Sequence, residues 1–489
     1  MNMQQTFVKL FEPEKIAFIG ASQNITKWGY NILHNLIRGR FDGDIYPINP
    51  QGGTWYGRKV YKDIDNVPDK IDLAVIVVRR DIMVETIKKC VRKEIPVGII
   101  ITAGFSETGL EGSIIEREVV EIAREGGMRL VGPNTMGVLS AYPSWMHATM
   151  SSSPHELKGN VAVVAQSGNL GGSITYRFLR RGIGISRLIS SGNEADLNVE
   201  DYLELLEMDP HTNLIVLYIE GVRDGRRFID TAKRLTKKKP ILLLKGGCTP
   251  SGAKAAMSHT GAIAGNDEVF KALCHQTGII QLNTMDEIID LAGILLCQPR
   301  LKGNRIGIVT LGGGWGVIAT DLCANNGLEV VPLGDENINK LDGILPLHWS
   351  RANPIDLVAG YSMTAIRDCI KILVEHNSID IVMVLGIGYP TMRVVRWRES
   401  PITPKSDVER TGGMMISNEL EVLNFIIEQI KKNNKPVVPV MDLSVFEIMM
   451  DDNPVKYLER NGVMPYSCPD RAVFAVGRAV NYYKSIEWS

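Results

Sequence analysis

One imidazole stands out in this sequence: His259, in the run Ser258-His259-Thr260-Gly261, preceded by Ala255-Ala256-Met257 and surrounded by small residues. Imidazole is neutral and nucleophilic near pH 7, and a phosphohistidine divides one difficult phosphoryl transfer into two easier ones. Ala and Gly offer little bulk to hide such a ring, so it either faces reactants or merely hydrogen-bonds a neighbour. Glu220, followed by Gly221, closes the apolar run Ile215–Ile219, at the strand end where sites form in α/β sheets. A carboxylate there either steadies the far nitrogen of a histidine or is a solvated strand end.

Two glycine-bearing turns suggest anion binding. Gln166-Ser167-Gly168-Asn169-Leu170-Gly171-Gly172 follows an apolar run and leads into a helix-like segment, Ile174–Leu179. Free amides, a hydroxyl and the positive end of a helix dipole then meet at Ser167, Gly168 and Asn169; alternatively, Ser and Asn there only cap the helix. Gly20-Ala21-Ser22 closes the first strand, with Gly29 ahead of a helix expected from Tyr30. This is not the dinucleotide fingerprint Gly-x-Gly-x-x-Gly, because position 22 is Ser and position 25 is Ile, which disfavours a nicotinamide-dependent dehydrogenase. Glu194 and Asp196 read as members of a polar loop. The seven other histidines read as surface or packing residues.

Positioning such groups requires strands, and short β-branched runs ending in glycine recur along the chain. Lys15–Gly20, Gly159–Ala165 and Asn304–Thr310 each read as a buried strand followed by a glycine-bearing loop and a helix. Further strands are expected at 44–48, 72–78, 96–101, 129–131, 215–219, 240–244, 379–385 and 436–441. Strands this uniformly apolar are covered by helices on both faces. The segment 393–413, with five basic residues, three acidic residues and two prolines, has no apolar period and is expected to be a long exposed loop. The chain of 489 residues is long enough for about three domains, placed at 1–150, 151–300 and 301–489.

Composition narrows the function. Lys+Arg total 54 against Asp+Glu 55, a formal net charge of −1, so the electropositive field of a nucleic-acid binder is missing. No apolar run reaches the roughly 18–20 residues that span a bilayer. The N-terminus has neither a basic start nor an apolar stretch, so no secretory signal is expected and the expected location is cytoplasmic. Seven scattered cysteines without a Cys-x-x-Cys pair, and histidines without His-x-x-x-His spacing, suggest reduced thiols and no metal site.

Taken in order, Gly20-Ala21-Ser22, Thr102-Ala103-Gly104-Phe105, Gly132-Pro133-Asn134, Gln166-Ser167-Gly168, Glu220-Gly221 and Ser258-His259-Thr260-Gly261 resemble the α subunit of NDP-forming acyl-CoA synthetases, in the succinyl-CoA synthetase superfamily. The resemblance spans nearly the whole chain. It implies an α/β architecture of three consecutive domains: a Rossmann-like domain that binds coenzyme A, then two flavodoxin-like ligase domains, the first bearing the phosphohistidine. By motif, His259 would accept the phosphoryl group, Glu220 would steady its ring, and Ser167, Gly168 and Asn169 would hold phosphate. Gly20, Ala21, Ser22, Lys27, Thr102 and Asn134 would line the coenzyme A site, with Asn49 and Pro50 nearby. Thr135, where relatives often carry Cys, and Asn169, where they carry a smaller residue, depart from the commoner pattern, as do Arg79-Arg80 and Trp315.

The implied reaction is acyl-CoA + ADP + Pi to carboxylic acid + ATP + CoA, reversibly, through an acyl phosphate. No P-loop pattern Gly-x-x-x-x-Gly-Lys-Ser/Thr and no ATP-grasp domain is read in the chain, so Mg-ADP/ATP is expected on a separate ATP-grasp β subunit, in an α2β2 assembly. A different class of function, a non-catalytic coenzyme A-binding regulator or scaffold, would need the same first domain but not the histidine.

Overall fold

The computed structural model describes residues 2–151, 157–254, 267–357, 362–441 and 453–487. The chain divides into two compact units, Met1–Met285 and Asp286–Ser489.

In the first unit, short apolar runs form strands β1 (Lys15–Ile19), β2 (Asp44–Ile48), the small hairpin β3 (Gly53–Trp55) and β4 (Arg58–Val60), β5 (Leu73–Ile76), β6 (Val97–Ile100) and β7 (Arg129–Val131). Five of these make a parallel sheet in the order β2-β1-β5-β6-β7. Helices α1 (Met3–Phe11), α2 (Trp28–Arg38), α3 (Met83–Arg92) and α4 (Leu110–Glu125) accompany it. Ile32, Leu33 and Leu36 fall on one face of α2 and are fully buried, each worth about 2 kcal/mol of removed apolar surface.

The second sheet of this unit contains β8 (Gly137–Ser140), β9 (Met146–Thr149), β10 (Lys158–Ala165), β11 (Ile185–Ser190), β12 (Leu214–Ile219), β13 (Ile241–Lys245) and β14 (Ile280–Leu282), ordered β14-β13-β12-β10-β11-β8-β9. The strands from β14 to β11 are parallel, and the β8–β9 hairpin closes one side antiparallel. Asn35 of α2 ties this hairpin back, its side-chain amide donating to the Thr149 carbonyl at 3.0 Å.

β11 holds a charge inside the core. Arg187 is fully buried, its Nε 3.0 Å and its Nη2 3.2 Å from the Asp209 carboxylate, with its guanidinium over the rings of Phe7 and Phe11. Burial alone pushes the Asp209 carboxyl up, but the hydrogen bond and charge of Arg187 outweigh it and hold the group below the usual carboxylate range.

The second unit is built on β15 (Arg305–Thr310), β16 (Glu329–Val330), β17 (Ile355–Asp356), β18 (Ile381–Leu385) and β19 (Val437–Val440), in the parallel order β16-β15-β18-β19 with β17 beside β15. Here the expectation of a loop over 393–413 is corrected. Tyr389–Glu399 is a helix that buries Val394 and Val395, and a π-helical turn, Val408–Gly412, runs into the long helix Gly413–Asn433. The basic side chains Arg393, Arg396 and Arg398 masked the apolar face, while Pro401 and Pro404 mark only the short break between the helices.

Candidate functional site

Both sheets of the first unit reverse direction at a central strand. The chain leaves β1 for β2 on one side and returns to β5 on the other; likewise it leaves β10 for β11 and returns to β12. Crevices outside the carboxyl ends of such strands are where α/β folds bind ligands. One cavity of about 870 Å³ is lined from both reversal points.

From the first sheet come Gly20, Ala21 and Ser22 after β1, Asn49 and Pro50 after β2, and Thr102 after β6. Lys27, at the start of α2, and Asn134, after β7, join them. Two glycines make the turn after β1 possible. Gly20 sits at φ +105°, where side chains are strained, and a Cβ on it would lie 2.2 Å from the Val77 carbonyl oxygen. A Cβ on Gly29 would lie 2.1 Å from the carbonyl oxygen of Gly20, so α2 begins directly against the loop. Side chains then fix the loop: the Asn49 amide donates to Ala21 O at 2.8 Å, the Trp55 indole to Ser22 O at 2.8 Å, and the Thr102 hydroxyl to Val78 O at 2.5 Å. Asn134 adopts φ +59°, and its amide reaches the side chain of Asn193 at 3.2 Å.

From the second sheet come Gln166, Ser167, Gly168 and Asn169. The helix α5 (Gly168–Arg180) starts at Gly168 itself, six residues earlier than the apolar pattern suggests, with Ser167 as its N-cap. The Ser167 side chain makes no capping bond to that helix. The reading in which this serine only caps α5 therefore loses its hydrogen bond, and the first-turn amides open toward the cavity at the positive end of the dipole. Gln166 clamps this loop to the end of β12: its Oε1 accepts from Glu220 N at 2.5 Å and Gly221 N at 3.3 Å, and its Nε2 donates to Gly221 O at 3.0 Å.

Glu220 is buried at the end of β12, with the Tyr218 hydroxyl 3.2 Å from its Oε1. It is not among the residues that line the cavity. His259 lies outside the described residues, as do its neighbours Ser258, Thr260 and Gly261.

Several residues of this region escape sequence reasoning. Thr26, Trp28, Arg79, Thr135, Met136 and Met150 line the cavity; Arg79 and Thr135 drew notice only as departures from a pattern. Gln166 had a usable signal in its place directly before Ser167. Glu194 and Asp196 do lie in a loop, as expected, but both are buried. Asp196 accepts from Arg124, Arg129 and the amide of Leu130. Glu194, at φ +54°, has its carboxyl pushed up to about 7 by burial, partly offset by the side chains of Ser191 and Gln166.

Known proteins resemble this chain in sequence and in fold. Residues 14–141 match a family described as a CoA binding domain, and residues 158–295 match the succinyl-CoA ligase like flavodoxin domain. Over 476 residues the chain is 36% identical to the acetate–CoA ligase [ADP-forming] II subunit alpha of Pyrococcus furiosus, covering 97% of this chain and 98% of that one. It is also 36% identical over 415 residues to the acetate–CoA ligase [ADP-forming] I of Archaeoglobus fulgidus, covering 85% of this chain and 60% of the longer relative. Among solved structures, the dinucleotide forming acetyl-coenzyme A synthetase 1 of Ca. Korarchaeum cryptofilum, in complex with phosphate and ADP, superposes with a TM-score of 0.85 at 32% identity, covering 99% of this chain and 98% of that one.

Proposed function

This chain belongs to the family of ADP-forming acyl-CoA synthetase α subunits, in the succinyl-CoA synthetase superfamily, and from that membership we propose how its residues divide the work of an acid–thiol ligase. The net reaction is acyl-CoA + ADP + Pi to carboxylic acid + ATP + CoA, run in either direction. Coenzyme A lies over the carboxyl edge of the first sheet, against the loop Gly20-Ala21-Ser22, with the amide of Ser22 and the ammonium of Lys27 toward its phosphates, while the amides of Gly20 and Ala21 hold the loop to the Ile48 carbonyl at 3.0 and 3.1 Å. Asn49, Pro50, Thr102 and Asn134 complete the walls. Phosphate sits at the start of α5, on Ser167, Gly168 and Asn169. The observation that carries this reading is that both sets of residues line one cavity while the N-cap hydroxyl of α5 makes no bond to its own helix.

The first step follows from that proximity, and the later ones from the motifs that this family shares. A phosphate oxygen attacks the thioester carbonyl, the C–S bond breaks, and the sulfur leaves as the thiolate of coenzyme A and takes up a proton. The acyl phosphate stays on the amide-lined loop, which favours the charge that gathers on its oxygens. A ring nitrogen of His259 then attacks phosphorus, the bond from phosphorus to the acyl oxygen breaks, and the carboxylate departs. Glu220 steadies the imidazolium. The phosphoryl group passes finally to the terminal phosphate of ADP, which we place, with Mg²⁺, on a separate ATP-grasp β subunit in an α2β2 assembly. We assign coenzyme A binding to 1–150, phosphoryl relay to 151–300 and a second ligase domain to 301–489, in a cytoplasmic enzyme. Among the described residues no helix is long and apolar enough to cross a membrane.

Incubation of the full chain with acetyl-CoA and radiolabelled phosphate tests this. An acid-labile, base-stable label is expected on His259, absent in His259→Ala, while that variant still binds coenzyme A. Coenzyme A binding without any such label on the unmodified protein would leave only the regulator or scaffold reading.

A further inference from the structure

Where the acyl group goes follows from the phosphate loop. A phosphate oxygen bonds to the acyl carbon, so the tail of that group starts within a few bond lengths of whatever anion the first turn of α5 holds. The side chain packed on that turn belongs to Met136: a Cβ added to Gly168 would lie 1.9 Å from the Met136 Cγ. Met136 is itself fixed by its backbone, since its amide donates to Ser190 Oγ at 3.0 Å and its carbonyl accepts from Met150 N at 2.9 Å. The two methionines stand at the open ends of β8 and β9, side by side, and both line the cavity with Asn169.

The charge pattern of the lining is one-sided. Among the described lining residues the charged side chains are Lys27 and Arg79, both carried on loops of the first sheet. Around the start of α5 the described lining is neutral: Thr135, Met136, Met150, Gln166, Ser167 and Asn169. A second carboxylate on an acyl tail would meet no cationic side chain in that described lining, with the α5 amides already engaged by phosphate. Met has three rotatable bonds and a polarisable sulfur, and two adjacent ones make a wall that reshapes around different apolar tails.

We propose that Met136 and Met150 are the specificity-determining residues for the acyl group, forming a deformable, uncharged wall that admits acyl tails of several lengths and rejects those carrying a second carboxylate. The proposal rests on the coenzyme A and phosphate placement given above. Isothermal titration of the full chain with coenzyme A and with acetyl-, butanoyl-, hexanoyl- and succinyl-CoA tests it. The first three acyl derivatives should bind within about 3-fold of one another, and succinyl-CoA at least about 10-fold more weakly. The stiffer, β-branched side chains of Met136→Ile and Met150→Ile should each cost hexanoyl-CoA about 10-fold relative to acetyl-CoA, with coenzyme A itself unaffected. Met136→Lys should narrow the succinyl-CoA deficit. If one replacement disturbs coenzyme A, the other decides. Tight succinyl-CoA binding by the unmodified chain, or hexanoyl to acetyl ratios unmoved by the isoleucine variants, overturns the assignment. Failure of the unmodified chain to bind coenzyme A would instead refute the site on which it rests.

Discussion

Replacing Glu194 by Gln should make the first unit more stable at neutral pH and leave it unchanged in acid. Glu194 is buried behind Gln166, the clamp of the phosphate loop, with Glu200 adding repulsion and Arg223 a weaker attraction. Its carboxyl is pushed from 4.5 to about 7. Below the unfolded value both states hold the proton and the side chain costs nothing extra. Between 4.5 and 7 the unfolded chain has released its proton while the folded one keeps it, so stability falls as pH rises, by about 1.4 kcal/mol per pH unit. The loss is complete above 7 and amounts to about 3 kcal/mol. Glutamine keeps the shape and the tolerance of φ +54° without the charge. Urea unfolding of the native protein and the variant at pH 4.5, 5.5, 6.5 and 8 reads the difference directly. It should be near zero at pH 4.5, grow steadily and level off at pH 8. A difference that stays flat over this range would show that Glu194 is ionised with ordinary ease and that its burial has been compensated.

Burial acts on His147 with the opposite sign, lowering its pKa from 6.5 to about 4, with Arg38 adding repulsion; stability from this ring is therefore complete above 6.5 and is lost as pH falls toward 4, about 3 kcal/mol in all. His147→Gln should flatten that acid limb in the same urea series, and an unchanged limb would contradict the assignment. Gly29→Ala places a methyl 2.1 Å from Gly20 O, which no side-chain rotation can relieve, so coenzyme A affinity measured by titration should fall about 10-fold or more, whereas full retention would show that the turn after β1 yields cheaply.

Much of the scaffold was legible because buried parallel strands advertise themselves as apolar runs. β2 and β7 begin and end as the sequence reading has them, and β1, β10, β12, β15 and β18 differ only at their ends. The loops after β1 and β10 were found by their glycines and small polar residues, those after β2, β6 and β7 only through the family resemblance, and all five contribute to one cavity. β11 was missed because its run Ile-Ser-Arg-Leu-Ile-Ser carries a charge, and a charge in a strand reads as solvent. Its partner Asp209 stands 22 residues downstream, a pairing that local pattern cannot contain. The same blindness hid Glu194 and Asp196, whose burial is created by distant elements, and the helix Tyr389–Glu399, whose arginines outweighed two buried valines in the reading. Met136 and Met150 look like ordinary apolar residues until the β8–β9 hairpin brings them together.

That hairpin has a practical consequence for anyone dividing the molecule. In sequence it belongs with the strands that precede it, yet its partner in the hydrogen-bonded ladder is β11, from the following stretch. Scissors applied near residue 150 would carry off two strands of the neighbouring sheet and bare the rim of β11, an invitation to sticky self-association. The smallest fragment worth expressing is therefore 1–285 as a single piece.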